Sequence, residues 1–231
     1  MKKDFGKFEK SVNVAFRNHL LLKQAFTHRS YINEHRDEKL EHNERLEFLG
    51  DAVLELAVTE YLFAKYPDKP EGELTSYRAA LVNTNTLADV ALGLGMNDFL
   101  LLSRGEAKDT GKARQYILAN TYEAFVGALY LDQGYGVVKD FIARTIFPLT
   151  DDIVAQRLWR DSKSYFQEQA QEHVSITPEY RVLKEEGPDH DKQFTIGVFL
   201  GDVLAAEGDG KSKQEAEQNA ASAAIQVKGW R

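Results

Sequence analysis

Asn43-Glu44-Arg45-Leu46-Glu47-Phe48-Leu49-Gly50-Asp51-Ala52-Val53-Leu54 is the stretch on which the reading of the fold turns. It is rich in strong helix formers and predicts the core of a long helix running to about Tyr66. Leu46, Leu49, Val53 and Leu56 recur at helical spacing and mark an inward face. Asn43 is placed to cap the helix. Glu47 and Asp51 stand four apart, so both carboxylates leave the same face, one turn apart. Apolar residues flank both, and a buried acid is costly unless it is paired or bound to a metal. Oxygen ligands of this kind suit a hard divalent cation such as Mg²⁺. A solvated acidic pair has the same spacing and is the commoner outcome, so spacing alone leaves both readings open.

A second apolar helix is predicted from Tyr116 to Asp132. In it Asn120 and Glu123 share a face, among Phe125, Val126, Leu129 and Tyr130. Two acid-bearing apolar helices favour a shared site, because one cation offsets the burial cost of both.

The remaining chain up to about residue 158 also reads as helix. Amphipathic stretches lie around Phe5–Phe16 and Leu20–Phe26, and Thr27-His28-Arg29-Ser30-Tyr31 interrupts the pattern. His28 fits a ligand or a structural role, the second being the default. Tyr66 to Gly72, with two prolines and a glycine, predicts a turn. A helix is expected from about Glu73 through Thr86-Leu87-Ala88 to Leu92, a mobile polar loop over Lys108 to Arg114, and a helix from about Val137 to Leu158.

Beyond Trp159 the pattern changes. One more helix, Asp161 to Glu172, is followed by β-prone runs at Glu179 to Lys184, Phe194 to Leu200 and Val203 to Glu207, then an alanine-rich helix to about Val227. The predicted fold is an all-α domain, residues 1–157, followed by a small α+β domain of order α-β-β-β-α, residues 158–231. Gly208-Asp209-Gly210-Lys211-Ser212-Lys213 reads as a glycine-rich turn before the last helix. Free N–H groups, the helix dipole, Lys211 and Lys213 would all favour a phosphate there. Solvated lysines on a glycine loop are the plainer reading.

Composition narrows the classes. The 231 residues carry a net charge of −7 and no cysteine, which excludes disulfides and thiolate metal sites. The start, MKKDFGKFEK, has no apolar stretch after its lysines, and no run is long enough to span a membrane. A cytoplasmic protein with no membrane partner is expected. From Arg160 onward nine Lys/Arg face thirteen Asp/Glu, so any nucleic-acid site there is a local face rather than a basic domain.

Glu44-Arg45-Leu46-Glu47-Phe48-Leu49-Gly50-Asp51 resembles the signature of the bacterial ribonuclease III family almost letter for letter. Thr27-His28-Arg29-Ser30-Tyr31, Glu71-Gly72, Leu81-Val82-Asn83 and Glu123 to Asp132 resemble its other blocks, in order. The end of the chain, with Gly208 to Lys213 and Ala216…Asn219-Ala220-Ala221, resembles a double-stranded-RNA-binding domain. The resemblance implies a homodimeric, Mg²⁺-dependent endonuclease, with Mn²⁺ as a substitute ion. It would cut both strands of double-stranded RNA to leave 3′ overhangs and process ribosomal, messenger and other structured RNA. Glu47, Asp51 and Glu123 match metal-site carboxylates, with Asp51 and Glu123 as the catalytic pair. Glu44 and Glu71 match acids lining the same valley. Phe48 matches a dimer-interface aromatic. Lys163, Gln167, Glu168, the loop Pro188-Asp189-His190, Lys211, Ser212 and Lys213 match RNA contacts.

Two positions depart from the family pattern. Asn120 stands among the metal positions where an Asp is usual; an amide oxygen can ligate Mg²⁺ but brings no charge. Gln214 replaces the second lysine of a usual pair. The alternative implied is a double-stranded-RNA binder with weakened or absent cleavage.

Overall fold

The computed structural model describes residues 3–35, 40–155, 162–188 and 192–230. Two compact units divide at residues 159 and 160. The first is helical: α1 (Phe5–Val12), α2 (His19–Ala25), α3 (Arg29–Glu34), α4 (Glu44–Lys65), α5 (Glu71–Leu81), α6 (Thr84–Gly93), α7 (Lys112–Gln133), α8 (Tyr135–Thr145) and α9 (Thr150–Ala155). Short 3₁₀ turns lie at Met96–Phe99, Glu106–Lys108 and Phe147–Leu149.

The unit is built around α7. From Ile117 to Leu129, all but Asn120 and Glu123 are buried. A helix apolar on every side belongs at the centre, with partners all round, and α2, α4, α6 and α8 pack against it. Phe125 meets Phe8 at 5.5 Å and Phe16 at 5.5 Å, and Phe8 meets Phe26 edge-on at 4.8 Å. Each such ring contributes roughly 1.5–3 kcal/mol by burial. The buried Tyr122 hydroxyl is satisfied by Thr145 Oγ1 at 2.7 Å.

Several boundaries differ from the sequence expectation, each for a local reason. The helix expected from Glu73 to Leu92 is two helices. Asn83 breaks it by accepting from Thr86 N (2.9 Å) as the cap of α6, while donating to the carbonyl of Ala80 (2.9 Å). The helix expected from Val137 to Leu158 stops at Thr145, where Pro148, lacking an N–H, sits in a 3₁₀ turn. α7 begins at Lys112, so the polar loop is shorter than expected. Asn43 precedes α4 but makes no side-chain cap. It is buried, its Nδ2 donating to Ala25 O (3.1 Å) and its backbone N–H to Thr27 O (2.9 Å). His28 is structural: its ring accepts from Ser30 N and caps α3. Leu56, expected to face inward, is 51% exposed.

The second unit comprises α10 (Ser162–Val174), β1 (Glu179–Glu186), β2 (Gln193–Leu200), β3 (Val203–Gly210) and α11 (Lys213–Lys228). The strands form an antiparallel sheet of order β1-β2-β3. Phe166 and Ala170 of α10 and Val198 and Leu200 of β2 build a core with Ala220, Ala221 and Ala224 of α11. The alanines let α11 lie close to β3. A methyl group at Gly208 would fall 2.1 Å from Ala220 N, and one at Gly210 would fall 2.5 Å from Ala216 N. Gly208 to Gly210 is therefore the end of a strand, chosen for close approach, rather than part of the turn before α11.

Candidate active site and nucleic-acid interface

α4 and α7 cross where two glycines face each other's backbone. A methyl group at Gly50 would sit 1.7 Å from the carbonyl oxygen of Glu123, and one at Gly127 would sit 2.2 Å from that of Leu46. Glycine inside a helix costs about 0.5–1 kcal/mol relative to alanine, so two of them need a packing reason, and this crossing is it. The crossing also brings the acids of one helix against those of the other.

The electrostatics follow. Glu123 is pushed up to about 8, first by burial and then by the charges of Asp51 and Glu47. Glu47 is raised by burial and by repulsion from Glu44 and Asp51, and a hydrogen bond from Asn120 partly offsets this. Glu47, Asp51, Asn120 and Glu123 thus form one interacting group of oxygen donors. Asn120 supplies an amide N–H to a neighbouring carboxylate, which an ionised Asp could not do. Among the described residues, no three His, Asp or Glu side chains are already drawn to metal-holding spacing. As a donor set, three carboxylates and an amide oxygen fit a hard cation and no soft one.

Glu44 lies at the exposed edge, 3.6 Å from Arg29 Nη1 and 3.8 Å from His42 Nδ1, yet its charge still reaches Glu47. Glu71, matched to the same valley, accepts from Thr75 Oγ1 (3.0 Å) on its own helix. Phe48 is 83% exposed, and Phe63 on the same helix 74%. Large apolar side chains left open in this way mark a surface that expects a partner.

In the second unit the expected RNA contacts fall into three groups. Lys163 is committed internally, its Nζ donating to Glu217 (2.6 Å) and lying 4.6 Å from the Tyr180 ring centre. Ser212 caps α11 by accepting from Glu215 N (3.2 Å), while the Glu215 carboxylate accepts from Lys211 N (2.8 Å). One N–H of the helix start is satisfied by the protein's own cap, an arrangement not foreseen from Ser212 to Glu215. Lys211 and Lys213 are exposed, with Lys213 Nζ 5.6 Å from the Phe194 ring centre. Gln167 and Glu168 line an open hollow on α10 with Ser164, Gln171 and Glu172. Asp189 and His190 lie outside the described residues.

Sequence reasoning missed Gly50 and Gly127 as the spacing device and the donor role of Asn120. Mid-helix glycine was the available signal for the first; the second needs the partner helix.

Comparison with known proteins gives the same division. Residues 18–150 match a family model described as "Ribonuclease-III-like", and residues 162–228 match one described as "Double-stranded RNA binding motif". "Ribonuclease 3" of Oceanobacillus iheyensis is 47% identical over 223 residues, covering 96% of this chain and 97% of the relative. "Ribonuclease 3" of Enterococcus faecalis is 48% identical, covering 92% of each. The nuclease domain of ribonuclease III from Campylobacter jejuni superposes with a TM-score of 0.57 at 42% identity, over 63% of this chain and 99% of that one. Its structure was described for flexibility in a region involved in dimer formation.

Proposed function

This chain belongs to the ribonuclease III family and is an endoribonuclease, and from that premise we propose that it cuts both strands of double-stranded RNA as a homodimer using Mg²⁺, leaving 3′ overhangs. The observation that carries this reading is the α4–α7 crossing, which makes Glu47, Asp51, Asn120 and Glu123 one electrostatic group of oxygen donors. Those four would hold the cation, with Asp51 and Glu123 as the catalytic pair. Once bound there, Mg²⁺, or Mn²⁺ in its place, supplies a polarised water and charge neutralisation at the phosphate. Glu123 holds a proton up to about pH 8 and must lose it to act as a ligand, so ligation strengthens as pH rises. Phe48 and the exposed face of α4 would lie in the dimer interface. The second unit would hold the duplex through Gln167, Lys211 and Lys213, reading A-form shape rather than sequence. Structured precursors such as ribosomal and messenger RNA are the expected substrates, in the cytoplasm.

A second reading is favoured by Asn120. Its amide lowers the charge of the site, so the chain could bind duplex RNA and cut it poorly. Asn120→Asp separates the two. We expect it to raise the protonation of Glu47 and Glu123 in metal-free buffer, lower stability there by about 1 kcal/mol, and change the cleavage rate by less than about tenfold. A gain of about 100-fold or more over an almost inert parent would support the binder.

Lys213→Ala is expected to weaken binding of any duplex alike and reduce the slope of log affinity against log salt by about 1. Lys163→Ala should instead lower the stability of the second unit, because it removes the link to Glu217 and Tyr180. Fluorescence anisotropy across a salt series, with thermal melts, reads both.

A further inference from the structure

Away from the acid crossing, the first unit has a hollow of about 740 Å³ between α3, the segment around residues 97–102 and the start of α7. Lys3, Tyr31, His35, Asn97, Asp98 and Arg114 line it. The size is that of a small-molecule site.

Its charges are incompletely matched. Among the described residues Arg114 is held by neutral groups alone: Nη1 donates to Asn97 Oδ1 (2.8 Å) and Nη2 to the carbonyl oxygen of Glu106 (2.6 Å). Its Nε is shut off from solvent without an acceptor, so an anion in the hollow would be met by the remaining N–H groups of Nη1 and Nη2. A guanidinium that is half-desolvated, fixed in orientation and paired with no carboxylate among the described residues is a built demand for an anion. Lys3 adds a second cation, its Nζ anchored on the carbonyl oxygen of Asp98. Among the described residues of the wall, Asp98 is the one carboxylate, against the two cations Lys3 and Arg114. The aromatic wall is preformed: Tyr31 and His35 stack at 3.9 Å, 11° from parallel, with His35 Nδ1 fixed on the carbonyl oxygen of Tyr31 (3.0 Å). A flat pair beside two cations matches a planar base carrying a phosphate.

We propose that this hollow binds a nucleoside 5′-monophosphate, the phosphate meeting Lys3 and Arg114 and the base lying against Tyr31 and His35. The shared chemistry has two sources, a free mononucleotide or the phosphorylated 5′ end of an RNA strand. The site is independent of the acid crossing and of whether the chain cleaves RNA.

Calorimetric titration of the full chain with AMP, in EDTA, tests it. AMP is expected to bind with a Kd on the order of 1 mM or tighter, and adenosine at least about tenfold more weakly. Arg114→Gln should weaken AMP by about tenfold or more. Because that change also removes the bonds to Asn97 and Glu106, Lys3→Gln serves as the second variant; it is exposed, and should weaken AMP several-fold with an unchanged melting temperature. A duplex with 5′ phosphates that binds the parent more tightly than the 5′-hydroxyl duplex, with the difference lost in Lys3→Gln, identifies the RNA end as the source. AMP binding without that preference identifies the free nucleotide. The proposal is overturned if the parent binds AMP no better than adenosine, or if both variants bind AMP as the parent does.

Discussion

Glu123→Gln is expected to abolish duplex cleavage and, at the same time, make the metal-free protein more stable. The first effect follows from removing a ligand charge at the site, a loss of about 10³-fold or more. The second follows from the cost of the native carboxylate. Burial and the charges of Asp51 and Glu47 push its pKa up from 4.5 to about 8. The folded chain therefore binds the Glu123 proton more tightly than the unfolded chain does. As pH rises from about 4.5 to about 8, the unfolded state loses that proton first, and native stability falls by linkage; above about 8 the loss levels off. Glutamine keeps the shape and carries no charge. In EDTA at pH 8 the variant should gain about 1–3 kcal/mol, or several degrees in Tm. Its Tm should also vary less with pH between 5 and 8 than the parent's, in scanning calorimetry (roughly, by the same linkage). Added Mg²⁺ should raise the Tm of the parent and not of the variant. A variant that is less stable than the parent at pH 8 would mean that Glu123 is not held at a strained, like-charged crossing.

Gly50→Ala carries the largest expected effect on folding. The added methyl group would lie 1.7 Å from the Glu123 carbonyl oxygen, inside the backbone of the neighbouring helix, where no side-chain rotation relieves it. α4 and α7 would have to separate along a crossing that organises the core of the first unit. A loss above about 4 kcal/mol is expected, enough to leave that unit largely unfolded. Gly127→Ala should behave alike, with its methyl group 2.2 Å from the Leu46 carbonyl oxygen. Gly93→Ala is the control. It lies in the last turn of α6 with nothing within 4 Å, and should be neutral or stabilising by up to about 1 kcal/mol. Circular dichroism melts of the three variants decide the matter. If Gly50→Ala melted like Gly93→Ala, the close crossing would be wrong.

These two residues show what a linear reading can and cannot reach. The two acid-bearing helices were legible because their apolar positions recur at helical spacing and their acids interrupt that pattern. The order of strands and helices in the second unit was legible for the same reason. The separation between α4 and α7 was not, since it depends on which glycine of one helix meets which carbonyl of the other. Asn120 reads in sequence as a weaker ligand; only with Glu47 facing it does it become a donor that relieves the crowding of charge. Helix breaks at Asn83 and Pro148 escape a reading by hydrophobic spacing, which continues across them while the backbone hydrogen bonds do not. Lys163 and Ser212 look like free RNA contacts until their partners Glu217 and Glu215 are seen on α11.

An acid crossing that works as an active site with Asn120 in place must cut duplex RNA without further change. The direct measurement is cleavage of a long RNA duplex by the unaltered chain with Mg²⁺, run beside Glu123→Ala and Asn120→Asp. Short duplex products are expected from the unaltered chain, none from Glu123→Ala, and a rate for Asn120→Asp within about tenfold of the parent. A parent as inert as Glu123→Ala, with Asn120→Asp alone able to cut, would contradict an active crossing with Asn120 in place.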